Sequence, residues 1–80
     1  MRVRVLFFAG LRERAGSGSI DLEGLLPGAT VRDVRRAVEE RCPALASVPA
    51  AAAVNLEYAP PERVVADGDE VAFLPPVSGG

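Results

Sequence analysis

The chain has 80 residues, 49% of them hydrophobic, and a net charge of −2 from nine basic and eleven acidic side chains. That length makes a single domain with room for little more than a sheet and a helix, since so short a chain buries only about 60% of its unfolded surface. The composition is that of a globular and not a disordered chain, and the charge provides no basic footprint for nucleic acid.

Arg2 to Ala9 alternates as a strand does, with Val3, Val5 and Phe7 on one face and Arg4, Leu6 and Phe8 on the other. The first set is apolar throughout and should face a core. The second set begins charged and ends apolar, so one end of the outer face is greasy. Gly10 breaks the strand, and residues 11–18 form a turn-rich connection with room for one helical turn. Ser19 to Glu23 alternates again, with Ile20 and Leu22 inward, and pairs best as the hairpin partner of the first strand.

Pro27-Gly28 marks a turn, and Thr30 then stands where an N-cap should be, with Asp33 three residues on. Val31, Val34, Val38, Cys42 and Leu45 fall on one helical stripe. Arg32, Arg35, Arg36, Glu39 and Glu40 lie elsewhere, with Arg35/Glu39 and Arg36/Glu40 at i,i+4 spacing, and read as solvated surface. Pro43 should end the helix at Arg41 or Cys42. Cys42, the single cysteine, sits on the apolar stripe and reads as a small hydrophobe, not a nucleophile. With no His and one Cys, neither an internal disulfide framework nor a His- or Cys-rich metal site is expected.

Ala44 to Ala50 reads as a loop of small residues, Ala52 to Asn55 as a short strand, and Leu56-Glu57-Tyr58 as the start of another after a turn at Asn55. Pro60-Pro61 forbids regular pairing, Val64-Val65-Ala66 is a short apolar segment, and Asp67-Gly68-Asp69 is a turn feeding the strand Glu70 to Leu74. The apolar run from Cys42 to Leu56 is too short and too interrupted to cross a bilayer, and the start at Met1 is not a signal peptide, so no membrane is involved and the cytoplasm is the expected location. The element order is that of an α+β fold, one mixed sheet with a helix on one face.

After Leu74 come Pro75, Pro76, Val77, Ser78, Gly79 and Gly80. The prolines cannot continue a ladder and hold the backbone extended, so residues 75–80 should leave the body, residues 1–74, as a narrow arm of roughly 20 Å. An arm that thins to glycine and ends on a carboxylate suits insertion into another protein's pocket. Read alone, it fits an unstructured terminus equally well. With one helix to cover a two-faced sheet, Phe8 and Leu74 must face away from it, and Tyr58 can join them from the edge. The expectation is an exposed apolar patch at the root of the arm, a partner interface, although scattered surface hydrophobes would read the same way.

Taken together, Val5-Leu6-Phe7-Phe8-Ala9, Arg12-Glu13, Ala53-Val54-Asn55, the run Asp67 to Phe73 and the closing Pro75-Pro76-Val77-Ser78-Gly79-Gly80 resemble the small subunit of molybdopterin synthase, the MoaD family. The ending after an Asp-Gly-Asp turn is the most specific part; a terminal Gly-Gly alone is shared by ubiquitin-like proteins generally. The resemblance implies a ubiquitin-like β-grasp of four or five strands, with the first and last strands adjacent at the centre of the sheet.

It also implies a sulfur carrier. In that family the terminal glycine, here Gly80, is adenylated by an ATP-dependent, E1-like enzyme and converted to a thiocarboxylate with sulfur from a donor protein. The carrier itself binds no cofactor. The large synthase subunit supplies the catalytic pocket in a heterotetramer, receives the tail, and sulfur passes to a pyranopterin precursor of the molybdenum cofactor. Phe8, Arg12, Tyr58 and Leu74 match family contact positions, with position 58 departing by carrying an aromatic where an aliphatic is familiar. Rival readings are a carrier for thiazole synthesis or tRNA thiolation, a ubiquitin-like modifier joined to lysines through Gly80, and a β-grasp binding module with an inert tail.

Overall fold

The computed structural model describes residues 1–76. The expectations placed on Val77, Ser78, Gly79 and Gly80 lie outside the described residues. The elements are β1 (Val3–Phe7), α1 (Gly10–Ala15), β2 (Ser19–Leu22), α2 (Val31–Arg41), a 3-10 turn at Pro43–Leu45, β3 (Ala51–Val54), β4 (Glu57–Ala59) and β5 (Glu70–Leu74). One five-stranded mixed sheet results, in the order β2-β1-β5-β3-β4. The central pair β1/β5 is parallel and the other neighbours are antiparallel.

Register explains the core. Val5 lies beside Val71 and Phe7 beside Phe73, while Val54 and Ala52 pair with Val71 and Phe73 from the other side. Because side chains alternate along a strand, all of these fall on one face. Against that face α2 lays Val31, Val34 and Val38, and Leu45, Leu11, Leu22 and Val65 close the ends. Every one of Val3, Val5, Phe7, Val71 and Phe73 is buried. The connection after β1 contains a six-residue helix whose Leu11 enters the core, more than the single turn expected from its Gly-rich sequence.

The start of α2 is secured by a full capping box. The Thr30 hydroxyl accepts from the Asp33 amide at 3.3 Å, and the Asp33 carboxylate accepts from the Thr30 amide at 2.9 Å. Hydrogen bonds donated to it by the Thr30 amide and then by the Thr30 hydroxyl, the latter at 3.1 Å, hold the Asp33 carboxyl below the usual range. The helix stops at Arg41 with Cys42 as its C-cap, and the 3-10 turn beginning at Pro43 brings Leu45 back under the apolar stripe. Cys42 is half-buried and packs against the core.

The solvated reading of the charged helix face fails at Arg35. Its side chain is half-buried, donates from Nε to Glu39 at 2.7 Å and from one terminal nitrogen to the carbonyls of Leu45 and Val48, and its guanidinium carbon lies 5.8 Å from the Phe73 ring centroid. Arg35 therefore ties helix, loop and sheet together. Its expected analogue, Arg36/Glu40, forms no ion pair among the described residues.

The open flank of β2 is closed by side chains. Phe7 N–H donates to the Gly18 carbonyl, so by antiparallel alternation Ser19 and Asp21 point their peptide groups outward. The Ser17 hydroxyl donates to the Ser19 carbonyl at 2.7 Å and accepts from the Ser19 amide at 3.3 Å, and Arg41 donates to the Asp21 carbonyl at 2.9 Å. The other flank, β4, is three residues long and runs into Pro60-Pro61. Among the described residues no helix is long and apolar enough to cross a membrane.

Candidate functional site

The face of the sheet away from α2 is uncovered, and its chemistry changes along the strands. Where β1 starts and β5 begins, the side chains are charged: Arg4 pairs in register with Asp21 and Glu70. Arg2 and Arg4 reach the Asp21 carboxylate at 3.0 and 3.4 Å. The hydrogen bonds from Arg2 and then Arg4 hold that carboxyl below its ordinary range.

One row further toward the β5 exit, register places Leu6, Ala72, Ala53 and Tyr58 side by side across four strands. Two alanines between larger neighbours leave a hollow. Phe8, Leu74 and Leu56 join Leu6 and Tyr58 around it, giving a shallow depression of about 210 Å³. Phe8 is 45% exposed and Tyr58 68%, and Leu74 is half-buried. Phe8 is fixed to the exit by its amide, which donates to the Phe73 carbonyl at 3.2 Å. Beyond Leu74 the chain passes into the exposed Pro75 and Pro76. The structure thus gathers Phe8, Tyr58 and Leu74 around one concavity at the root of the tail.

Arg12 stands apart. It lines a second depression with Ala9, Glu13, Gly16, Ser17 and Gly18. Its guanidinium lies over Gly18, where an added Cβ would come within 3.3 Å of Nε. Phe8 lines the first hollow and its neighbour Ala9 the second, and Ala9 has a positive φ of 52° that turns the chain sharply from β1 into α1.

Three features escaped the sequence reading. Ala53 and Ala72 form the floor, but alanine carries no sequence signal, and only the β3–β5 register brings them together. Leu56 was assigned to the start of a strand and instead occupies the hairpin turn. Asn55, which reads as the end of a short strand and the turn after it, also clamps that turn to β5: its side-chain amide donates to Asp69 at 3.0 Å and its side-chain oxygen accepts from the Glu70 amide at 3.0 Å. The Asp69 carboxyl, accepting first from the Ala66 amide and then from Asn55, is held below the usual range.

A larger groove of about 680 Å³ runs on the helix side between α2 and the β3–β4 edge. It reaches Phe73 and Ala51 beside the end of β5, and the carboxylate that lines it, Glu39, is engaged by Arg35. Among the described residues no three side chains of the His, Cys, Asp or Glu type come together as metal ligands. The depression at the root of the tail is a largely apolar, concave platform, with the Glu70 carboxylate lining it from the charged end of β5. Such a platform can dock a partner.

Comparison with known proteins agrees in family and fold. Residues 5–80 match the ThiS family. A Chlamydomonas reinhardtii protein named molybdopterin synthase sulfur carrier subunit is 42% identical over 84 residues, covering 100% of each chain. SAMP1 from Haloferax volcanii superposes with a TM-score of 0.88 at 34% identity, again over 100% of each chain. A chain from the complex of subunits 1 and 2 of molybdopterin-converting factor from Helicobacter pylori 26695 has a TM-score of 0.67 at 24% identity over 100% of both, a likeness of fold.

Proposed function

The chain belongs to the ThiS family, and from that membership we propose that it is the sulfur carrier subunit of a molybdopterin synthase. Its partner is the large synthase subunit, which covers the open face of the sheet and takes the tail, Pro75 to Gly80, into its active site. The observation that carries this reading is the change of the open face from charged to apolar at the point where the chain leaves β5. A docking platform adjoining a stiff exit positions the tip of the tail, so binding energy made remotely is converted into orientation at the reacting atom.

The chemistry runs through the carboxyl of Gly80. A carboxylate is a poor electrophile. An E1-like enzyme joins it to AMP from ATP, releasing pyrophosphate. The terminal sulfur of a donor protein's persulfide attacks the carbonyl carbon and expels AMP, and a second thiol then cleaves the acyl disulfide, leaving the donor sulfur in a disulfide with that thiol. The resulting thiocarboxylate presents a nucleophilic sulfur that needs no base from this chain, which suits a sequence without His. Glycine at 79 and 80 lets partner groups close around the reacting carbon. Sulfur then passes to a pyranopterin precursor in the cytoplasm, with catalysis belonging to the large subunit and no cofactor bound by the carrier.

The test is single turnover. Full-length thiocarboxylated protein, mixed with the purified large subunit and precursor, should form molybdopterin. Deleting Gly79 and Gly80, or adding one residue after Gly80, should abolish the product; undiminished product from either variant would refute the reading.

The likeness to SAMP1, a small archaeal modifier protein, favours a second reading as a protein modifier. Intact mass of protein from its host separates the two. A carrier shows one oxygen replaced by sulfur, and a modifier appears in branched conjugates with target lysines. With no Lys of its own, this chain cannot form lysine-linked chains of itself.

A further inference from the structure

The β3–β4 hairpin closes on Asn55 and Leu56, with φ of 49° and 74°. Two successive left-handed residues match the turn that suits the twist of a two-residue hairpin, and its second position ordinarily takes Gly. A Cβ there is strained. Leu56 is also 91% exposed, so its side chain adds almost nothing to the core of its own domain. A single exposed leucine needs no explanation. An exposed leucine on a backbone that disfavours any side chain does, because glycine would serve the free protein better.

The position of Leu56 supplies the explanation. Its side chain borders the depression it shares with Phe8, Tyr58 and Leu74. Leu74 closes β5 at the tail, whereas Leu56 lies beyond Val54, which pairs with Val71 near the other end of that strand. The two leucines bracket the length of β5, roughly 13 Å for four residue steps. The turn is held rigid by the bonds from Asn55 to Asp69 and Glu70, so presenting the side chain requires little further ordering on binding.

We propose that Leu56 is a second anchor for the large synthase subunit, inserting into an apolar pocket of that subunit and fixing the rotation of the carrier about the root of its tail. The proposal rests on the carrier reading above. One contact at Phe8 and Leu74 would leave the body free to pivot; a second at the hairpin tip determines the angle at which the tail enters.

The experiment uses the full chain, its variants L56G, L56N and L56M, and the purified large subunit. Gly and Asn both accept the left-handed backbone, so L56G should melt at or above the parent temperature and L56N close to it. Both should weaken the complex about tenfold or more, as loss of a buried apolar anchor does. L56M, which keeps an apolar side chain of similar volume, should stay within about threefold of the parent. Parent-like affinity in L56G would overturn the inference and leave the carrier reading intact. A parent chain that fails to bind the large subunit sinks both. A lower melting temperature in both L56G and L56N would show the side chain to be structural. Altered self-association with unchanged affinity for the large subunit would assign Leu56 to a second copy of this chain instead.

Discussion

The two faces of the sheet use the same alternating strands and differ in what the alternation is for. On the covered face, Val5, Phe7, Val71 and Phe73 meet the stripe of α2 and are sealed from water. On the open face, Leu6, Phe8, Ala72 and Leu74 come from the same two strands, yet they surround a hollow and remain partly wet. Hydrophobic character alone does not tell core from docking surface. The difference lies in whether a second element of the same chain is available to cover it, and this chain has one long helix for two sheet faces.

That contrast should break most readily at Phe73. Phe73→Ala removes a buried ring and the surface on which Arg35 stacks, and should destabilise the fold by about 3–5 kcal/mol in a denaturant titration. Arg35→Ala comes next, at about 1–3 kcal/mol, because it takes the guanidinium from the Val48 carbonyl and leaves the Leu45 carbonyl with the Val48 amide alone. Arg35→Lys should recover only part of this, since an ammonium cannot reproduce the forked geometry.

Asp69→Asn should cost less, and its effect should depend on pH. The folded carboxyl titrates below its unfolded range, so its contribution is present above the unfolded pKa and fades as pH falls through the folded value. The variant should therefore be less stable than the parent at neutral pH, and the two should converge as the pH falls from about 5 through the carboxylate range. Melting curves at a series of pH values check the sign; a gap that widened in acid would contradict it.

The smallest change in stability is expected on the open face. Phe8→Asp should shift the free energy of unfolding by no more than about 0.5 kcal/mol, while weakening the complex with the large synthase subunit at least about tenfold. A large loss of stability would move Phe8 into the core and erase the distinction between the faces.

Much of this was legible in the residues. The alternation of Val3, Val5 and Phe7 and the Thr30/Asp33 cap are local signals, and both appear as expected. The apolar drift from Arg4 to Phe8 gave away the greasy end of the outer face. The parallel pairing of β1 with β5 could not be read from either strand, because it joins segments more than sixty residues apart; it entered through family resemblance. Arg35 misled because its i,i+4 partner Glu39 accounted for it locally, hiding acceptors at Leu45 and Val48 that exist only once the following loop folds back. Leu56 was hidden by its own type, since leucine is not a residue from which a left-handed turn is inferred.

The stoppered flank of β2 bears on how this molecule behaves in a crowd. Ser17 and Arg41 occupy the Ser19 amide and the Ser19 and Asp21 carbonyls, which an incoming strand would need, and β4 at the opposite margin is too short and too near its prolines to template another chain. Neither border invites neighbours to extend the sheet, so visitors are steered onto its broad side, where side chains rather than backbone decide who stays. That arrangement favours discrimination, because backbone pairing would welcome nearly any extended peptide.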